Sequence, residues 1–323
     1  MPKKQDKKTD IALLTRLYRS VRLIRRVEEV IADIYPSDKI KSPVHLAIGQ
    51  EHVAVAACDS LGEGDWVAGS YRSHAMYLAK GGDLRAMIAE MYGKDTGCCR
   101  GKGGSMHVID TRAGVMGSSA VVATQIPIAA GAALAQKRAK QGKVTVVFFG
   151  DGACEEGSFY ETLNFAALHK LPILFVCENN GYAIHEPIQK RRARPDGICA
   201  VVEALGIPTV RIEDGNTLAI HAEAADAIKS MRGGGGPRMI EAMVYRWREH
   251  VGPNEDYDDD YRNRTEAAPW MASDQVAHLG EMLEPSARSR IDEEIERQIA
   301  DAVRFAEESP APNPQELYAG VYA

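Results

Sequence analysis

Short apolar runs alternate with longer helical segments from residue 143 onward, and this alternation restricts the possible folds more than any other feature. The apolar runs lie at residues 143–149, 173–177, 209–212 and 238–245. Helical patterns separate them, at residues 156–169, 199–205 and 217–232. Strands that alternate with helices in this way form parallel sheets, because each helix crosses back over the sheet. The sequence therefore predicts an α/β fold with a mostly parallel sheet and helices on both faces.

Helices are also predicted near the two ends of the chain. Residues 10–35 carry apolar side chains at helical spacing, and Asp10 is a suitable N-terminal cap. A shorter helix is predicted to start near Gln50, and small residues make 125–140 a candidate buried helix. A last helix carries one apolar stripe, formed by Ile291, Ile295, Ile299 and Val303.

The remaining segments predict loops and one domain. Residues 93–120 are glycine-rich and read as a long loop, and residues 249–269 read as an acidic, irregular segment. Neither an internal repeat nor an interdomain linker is visible. The sequence predicts a flexible charged tail at residues 1–9 and a single α/β domain at residues 10–323, with helical additions at both ends.

Composition excludes several classes of function. The chain has 323 residues and a net charge of -6, and its basic residues are not interleaved with aromatic ones, so we expect no nucleic-acid partner. Its six cysteines fit neither a zinc site nor a disulfide framework. No apolar stretch reaches the roughly 18–20 residues of a membrane span. The basic N-terminal residues precede no signal-type apolar core, and we expect a cytoplasmic protein.

Polar groups follow two of the predicted strands. Gly150-Asp151-Gly152 comes after the first run and Asn179-Asn180 after the second, with 26 residues between the two motifs. Ligands bind beyond the carboxyl ends of parallel strands. A carboxylate and an amide oxygen suit Mg²⁺, which completes its shell with water and phosphate oxygens, and glycines let the backbone approach a diphosphate. Alternatively, both motifs are only turns that flank helices.

The same motif pair resembles the thiamine-diphosphate motif. Three further segments resemble the alpha subunit of the decarboxylating component of 2-oxo acid dehydrogenase complexes, whose members include pyruvate, branched-chain and acetoin enzymes. They are "YRSH" at 71–74, "GCCRGKGGSMH" at 97–107 and "SSAVVATQIP" at 118–127. The resemblance covers about residues 10–305. It implies the thiamine-diphosphate-binding fold for the domain, with thiamine diphosphate and Mg²⁺ as cofactors.

The resemblance assigns the cofactor-binding residues position by position. Metal ligands are the side chains of Asp151 and Asn180 and the main-chain carbonyl of Tyr182. Tyr71 and Arg72 contact the diphosphate, and the planar guanidinium group suits paired phosphate oxygens. Three further residues are expected against the cofactor, with Gly152 and Ala153 at the diphosphate and Val122 near the thiazolium ring. Without the resemblance, Tyr71 and Val122 could equally be ordinary core residues, and Arg72 could form a surface salt bridge.

The resemblance also implies roles for three histidines. His250 matches the second histidine of the family's Tyr-Arg-x-His-x-His segment, near the thiazolium, where it can handle protons or bind a substrate carboxylate. The alternative is a solvated loop histidine. His74 and His107 match family positions, and we assign them structural support or contacts on the substrate side.

Some positions depart from the family pattern. Arg248 stands where the family has its first histidine, and Val251 where phosphorylation-controlled relatives have serine, so that switch is expected to be absent. Residues 252–262 read "GPNEDYDDDYR" in place of the usual entrance loop, although Tyr261-Arg262 matches the family's later Tyr-Arg pair. Ala120 and Ala123 replace glycines of the pyruvate-type enzymes, which favours the branched-chain pattern.

The resemblance implies a second polypeptide. In that family a beta subunit supplies the glutamate that activates the cofactor, and nothing in this chain resembles it. We therefore expect an α₂β₂ heterotetramer that decarboxylates a 2-oxo acid, or cleaves acetoin, and passes the acyl group to a lipoyl carrier. A lipoyl acyltransferase core is a candidate further partner. One alternative is a thiamine-dependent carboligase or acyl transferase that acts on a sugar or a small carbonyl compound. Another is a non-catalytic subunit that retains the fold.

Overall fold

The computed structural model describes residues 10–319, so the tail predicted at residues 1–9 lies outside the described residues. The strands are β1 Trp66–Ser70, β2 Val115–Ser119, β3 Thr145–Gly150, β4 Ile173–Asn179, β5 Tyr182–Ala183, β6 Glu186–Pro187, β7 Thr209–Ile212 and β8 Arg238–Met243. Six of them form a central sheet in the order β2-β1-β3-β4-β8-β7, and every neighbouring pair in it is parallel. The other two, β5 and β6, form an antiparallel hairpin apart from this sheet.

Helices join these strands and extend from the sheet at both ends of the chain. They are α1 Ile11–Ile34, α2 Glu51–Cys58, α3 His74–Ala79, α4 Leu84–Met91, α5 Gln125–Ala139, α6 Gly157–Leu168, α7 Ile188–Arg191, α8 Ile198–Ala204, α9 Thr217–Arg232, α10 Arg264–Ala272, α11 Gln275–Glu281 and α12 Pro285–Glu308. Within residues 10–319, none of them combines the length and the apolar character needed to cross a membrane.

The central strands bury both of their faces. On β3, Val146 and Phe148 enter one apolar cluster, which includes residues of α1, α2, α9 and α12. The side chains between them, Val147 and Phe149, enter a second cluster with residues of α5, α6 and α8. Successive side chains of a strand point to opposite faces, so a strand that is apolar throughout needs helices on both sides. The predicted α/β fold with a parallel sheet is confirmed.

The N-terminal helix forms where its sequence pattern places it. The carboxylate of Asp10 accepts a hydrogen bond from the backbone N–H of Ala12, which satisfies a donor that the first turn would otherwise leave free. Apolar residues of α1 are buried against α2, α11 and α12. The predicted cap and helix are therefore confirmed, as are the helix after Gln50 and the apolar stripe of the last helix.

Three details of the sequence-based prediction are wrong. The glycine-rich segment 93–120 is not a loop throughout, because its last residues form the edge strand β2 beside β1. Helix α5 is buried on one face only, and Ile128 on its other face is 50% exposed. Segment 249–269 is irregular only in its first part, since α10 starts at Arg264 and Asn263 caps it.

Candidate active site

The two polar motifs meet at the carboxyl edge of the sheet. Strands β3 and β4 are adjacent and parallel, and their register pairs Gly150 with Glu178. Asp151 and Asn180 therefore leave the sheet side by side. A cavity of about 250 Å³ opens at this edge. Its walls include eight of the predicted residues, namely Tyr71, Arg72, Val122, Gly152, Ala153, Asn180, Tyr182 and His250.

Asp151 is fully buried, and its two neighbours Gly150 and Gly152 line the cavity. One carboxylate oxygen, Oδ2, forms an ion pair with Arg191. The other, Oδ1, is buried and has no hydrogen-bond partner among the described residues. Burial raises the pKa of Asp151, and the positive charge of Arg191 opposes this effect. An oxygen without a hydrogen bond in such surroundings is a candidate cation ligand.

The two asparagines serve different purposes. Asn180 faces the cavity, where its side-chain nitrogen donates to Oε1 of Gln50 at 2.9 Å and its Oδ1 accepts from the backbone N–H of Tyr182 at 3.0 Å. Asn179 is buried and donates to Glu241 at 2.7 Å. Asn180 therefore has an oriented oxygen with a second lone pair, whereas Asn179 joins two adjacent strands.

The turn after β3 has no room for a side chain at its glycine. A Cβ atom placed on Gly152 would lie 2.9 Å from the Cβ of Ala183, closer than real Cβ atoms approach. Ala153 is buried and also lines the cavity. Small residues at these two positions keep the backbone itself at the cavity surface, as binding of a diphosphate requires.

Tyr71 and Arg72 follow β1 directly, so a third strand end contributes to the site. Arg72 is buried, and its guanidinium donates to the backbone carbonyls of Leu46 and His250. Burial and the nearby charge of Arg246 lower the pKa of Arg72 to about 10, so the group remains cationic at neutral pH. A buried cation at a cavity wall without a carboxylate hydrogen bond suits an anionic ligand.

His250 lies in an aromatic group with Tyr71 and His45. The ring of His250 is 5.6 Å from that of Tyr71 and 5.2 Å from that of His45, measured between centroids. Burial, with Arg72 and His45 nearby, lowers the pKa of His250 to about 3. The imidazole is therefore neutral at physiological pH, with one nitrogen that accepts a proton and one that donates.

The segment that carries His250 is anchored by a buried ion pair. Arg262 forms an ion pair with Asp256, and its Nη2 donates to the backbone carbonyl of Arg248 at 2.7 Å. Tyr261 also donates to Asp256. These contacts fix the backbone on both sides of the irregular stretch, so His250 has a defined position despite the lack of secondary structure.

Val122 lies at the rim of the cavity, where it is 43% exposed, and it lines the wall together with Ala123. Ala123 has a φ of 64°, in the left-handed region that an alanine rarely adopts. The prediction of an apolar residue at this position fits the observed geometry, but within this chain Val122 is not part of a core.

Similarity to known proteins agrees with this geometry. The family model described as "Dehydrogenase E1 component" matches residues 19–315. The chain is 36% identical to the alpha subunit of acetoin:2,6-dichlorophenolindophenol oxidoreductase from Bacillus subtilis (strain 168), over 95% of this chain and 92% of the relative. It is also 36% identical to the pyruvate dehydrogenase E1 component subunit alpha of Zymomonas mobilis, over 95% of this chain and 88% of the relative.

The chain belongs to the dehydrogenase E1 family. The resemblance inferred from the motifs is confirmed, and the chain is an oxidoreductase component of the alpha-subunit type. The E1 family implies thiamine diphosphate as cofactor, and the alpha-subunit names of the relatives imply a beta-subunit partner.

Two predicted residues of this E1 alpha chain lie away from the cavity wall. His74 is fully buried, its Nδ1 is 3.1 Å from Glu28 and its Nε2 is 2.9 Å from the hydroxyl of Ser105. His107 is exposed, and its Nδ1 is 3.3 Å from the carbonyl of Ser118. The surroundings of His74 suit structural support, whereas contacts of either residue with substrate stay a prediction.

Sequence reasoning missed several residues at the site, and three of them lie beside the expected ligands. Gln50 orients Asn180, Arg191 pairs with Asp151, and Glu178 is a buried carboxyl group on the cavity wall. Burial raises the pKa of Glu178 to about 8, against the opposing effect of Arg72. Glu178 had a usable signal, since it is a charged residue at the end of an apolar run. Gln50 and Arg191 are distant in sequence and had none.

Proposed function

We propose that this E1 chain is the alpha subunit of a thiamine-diphosphate-dependent 2-oxo acid dehydrogenase and holds the Mg²⁺-diphosphate end of the cofactor. The observation that carries the proposal is the buried Oδ1 of Asp151, which has no hydrogen bond among the described residues and lies beside the cavity that Asn180 and Arg72 line. Mg²⁺ prefers oxygen ligands and usually bridges one or two protein groups to phosphate oxygens.

The residues present fit this cofactor. Asp151, Asn180 and the carbonyl of Tyr182 would hold Mg²⁺, and Arg72 with Tyr71 would bind the diphosphate. Gly152 and Ala153, with no bulky side chains, let backbone approach the same group. When bound, thiamine diphosphate supplies a carbon nucleophile for the keto carbon and accepts the electrons left by departing CO₂. The chain supplies position and charge, because Arg72 is buried and remains cationic.

His250 is the proposed proton-handling residue. Its imidazole is neutral at working pH, and a pKa of about 3 disfavours a stored proton, so its two ring nitrogens are free to accept and donate hydrogen bonds at a substrate group. Arg72 donates to the backbone carbonyl of His250 at 3.2 Å and thereby joins the histidine to the diphosphate-binding residue. Val122, at the rim, gives the cavity an apolar side where the thiazolium ring is expected.

The functional assembly proposed here is an α₂β₂ heterotetramer in which the beta subunit supplies the cofactor-activating glutamate. An exposed apolar face on α5 and just before it supports a partner at this side of the chain, since Ile128 on the helix is 50% exposed and Val121, four residues before the helix, is 62% exposed. Gly131 and Ala135 on the same helix are also exposed, and small residues permit close approach of another backbone. Cytoplasmic location, attachment to a lipoyl acyltransferase core and the single-domain organisation stay predictions.

A small 2-oxo acid, or acetoin, is the proposed acyl donor, with a lipoyl group as acceptor. The relatives named above include acetoin and pyruvate enzymes, whereas the branched-chain pattern around Ala120 and Ala123 stays a prediction. A carboligase is the second candidate, because the entrance loop is unusual. Part of this loop lines an open depression beside the hairpin β5-β6. The lining includes the ring of Tyr261 and the three successive carboxylates of Asp258, Asp259 and Asp260.

The test uses this chain purified together with its beta subunit, with thiamine diphosphate and Mg²⁺ present. The enzyme is incubated with pyruvate, branched-chain 2-oxo acids or acetoin, with and without an isolated lipoyl domain. We expect acylation of the lipoyl domain, measured by mass spectrometry, and loss of more than about 100-fold in rate for Asp151→Ala because the metal ligand is removed. Asp196→Ala, an exposed carboxylate in a loop, is the matched control.

Two results would contradict the proposal. Condensed carbon–carbon products without lipoyl acylation favour the carboligase. Full cofactor-dependent activity of Asp151→Ala removes the metal assignment and favours a non-catalytic role for this site.

A further inference from the structure

Arg191 connects three parts of the site and is almost completely removed from water. Its guanidinium forms ion pairs with Asp151 and Glu155, and its Nε donates to the backbone carbonyl of Glu186 at 3.0 Å. The side chain of Arg191 is 9% exposed and that of Asp151 is 1% exposed. A pair so well shielded has a fixed geometry, unlike the mobile pairs of a protein surface.

The two oxygens of Asp151 differ because of this arginine. Arg191 binds Oδ2, whereas Oδ1 has no hydrogen bond among the described residues. A carboxylate that is held at one oxygen cannot rotate freely, so the other oxygen is kept in one direction. Carboxylates that bind metals are commonly held in this way by hydrogen-bonding partners, and loss of such a partner weakens metal binding by about 10–100-fold.

We propose that Arg191 is a positioning residue for the metal: it holds Asp151 by Oδ2 so that Oδ1 is directed to the cation. The inference rests on the proposed function of this site. It also assigns a role to α7. Arg191 is the last residue of this short helix, which directly follows the hairpin β5-β6, and Tyr182 is the first residue of that hairpin. Arg191 thus joins the segment carrying one expected ligand, Tyr182, to the turn carrying another, Asp151.

The opposite role for Arg191 predicts an effect of opposite sign. If Arg191 only occupied the place of the cation, its removal would leave Asp151 free and metal binding would become tighter. The position of Arg191 on Oδ2 rather than Oδ1 favours the positioning role.

The test measures Mn²⁺ binding by electron paramagnetic resonance, with saturating thiamine diphosphate, to this chain in complex with its beta subunit. We expect Arg191→Met to weaken Mn²⁺ binding by about 10–100-fold. Arg191→Lys should lose less, because an ammonium keeps the charge but cannot reach the same three acceptors as the planar guanidinium. Arg194→Met removes the same charge from an exposed position nearby and should bind Mn²⁺ like the unmodified chain.

The outcomes distinguish the positioning role of Arg191 from the existence of the metal site. Unchanged or tighter Mn²⁺ binding by Arg191→Met, with the unmodified complex binding normally, overturns the positioning role alone. Absence of Mn²⁺ binding in the unmodified complex overturns the metal site itself and with it the proposed function. If thermal unfolding shows that Arg191→Met does not fold, Arg191→Lys decides the question: weaker binding supports the role, and unchanged binding overturns it.

Discussion

Single buried ionisable residues determine how this E1 chain responds to pH. His52 on α2 is 5% exposed, and its Nε2 has no hydrogen bond among residues 10–319. Burial, followed by the charge of Arg25, lowers the pKa of His52 from 6.5 to about 4. The site histidines His45 and His250 show the same direction, each with a pKa of about 3. The folded chain therefore disfavours protonation of all three.

This burial predicts loss of stability in mild acid. Between about pH 6.5 and pH 4 the unfolded chain binds a proton at His52 that the folded chain does not, so the free energy of unfolding falls as the pH falls. The loss from His52 alone should be about 2 kcal/mol between pH 7 and pH 5. His52→Asn should be less sensitive to acid by this amount, measured by urea unfolding at both pH values. His278→Asn, at an exposed position, is the control. Equal acid sensitivity of His52→Asn and the unmodified chain would contradict this explanation.

At the scale of elements, one carboxylate of α4 organises the glycine-rich segment before β2. Glu90 is fully buried and accepts four backbone hydrogen bonds. Its Oε2 accepts from Cys99 at 2.7 Å and Gly101 at 2.9 Å, and its Oε1 accepts from Gly103 at 2.7 Å and Gly104 at 3.1 Å. All acceptor positions of the carboxylate are used. The segment therefore has a fixed conformation without regular secondary structure.

Glu90→Gln should destabilise this segment. The amide group replaces one acceptor oxygen with a donor, so two backbone N–H groups lose their partner, at a cost of about 2–5 kcal/mol. Urea unfolding measures the loss, and faster hydrogen exchange at residues 99–104 locates it. Glu281→Gln, an exposed position at the end of α11, should change neither measurement. Unaltered exchange at residues 99–104 in Glu90→Gln would show that another group holds the segment.

Elements differ in how well the sequence predicts them. Strands β3 and β4 contain continuous apolar runs, at residues 146–149 and 173–177, because both of their faces are buried, so their pattern is visible. Strands β1 and β2 read WVAGS and VMGSS, with small and polar residues that weaken any strand pattern. Their place at one side of the sheet depends on pairing with distant segments, which no local pattern shows.

At the scale of the whole molecule, the residues of the site also differ in how well the sequence predicts them. Asp151 and Asn180 could be predicted because polar groups after two apolar runs must meet at one edge of a parallel sheet. Tyr71, Arg72 and His250 could be placed only through the family resemblance. Arg191 could not be predicted, since it lies within the basic run "QKRRAR", which is typical of a solvated surface, and it is 40 positions after Asp151 in the sequence.

The active site of the whole molecule is proposed to be shared between two chains. This chain contributes the residues expected to hold Mg²⁺ and the diphosphate, and the beta subunit is proposed to contribute the activating glutamate. The most direct measurement is decarboxylation with thiamine diphosphate and Mg²⁺, by this chain alone and after addition of the beta subunit. We predict no turnover by the chain alone and full turnover by the complex. Robust turnover by the chain alone would contradict the account.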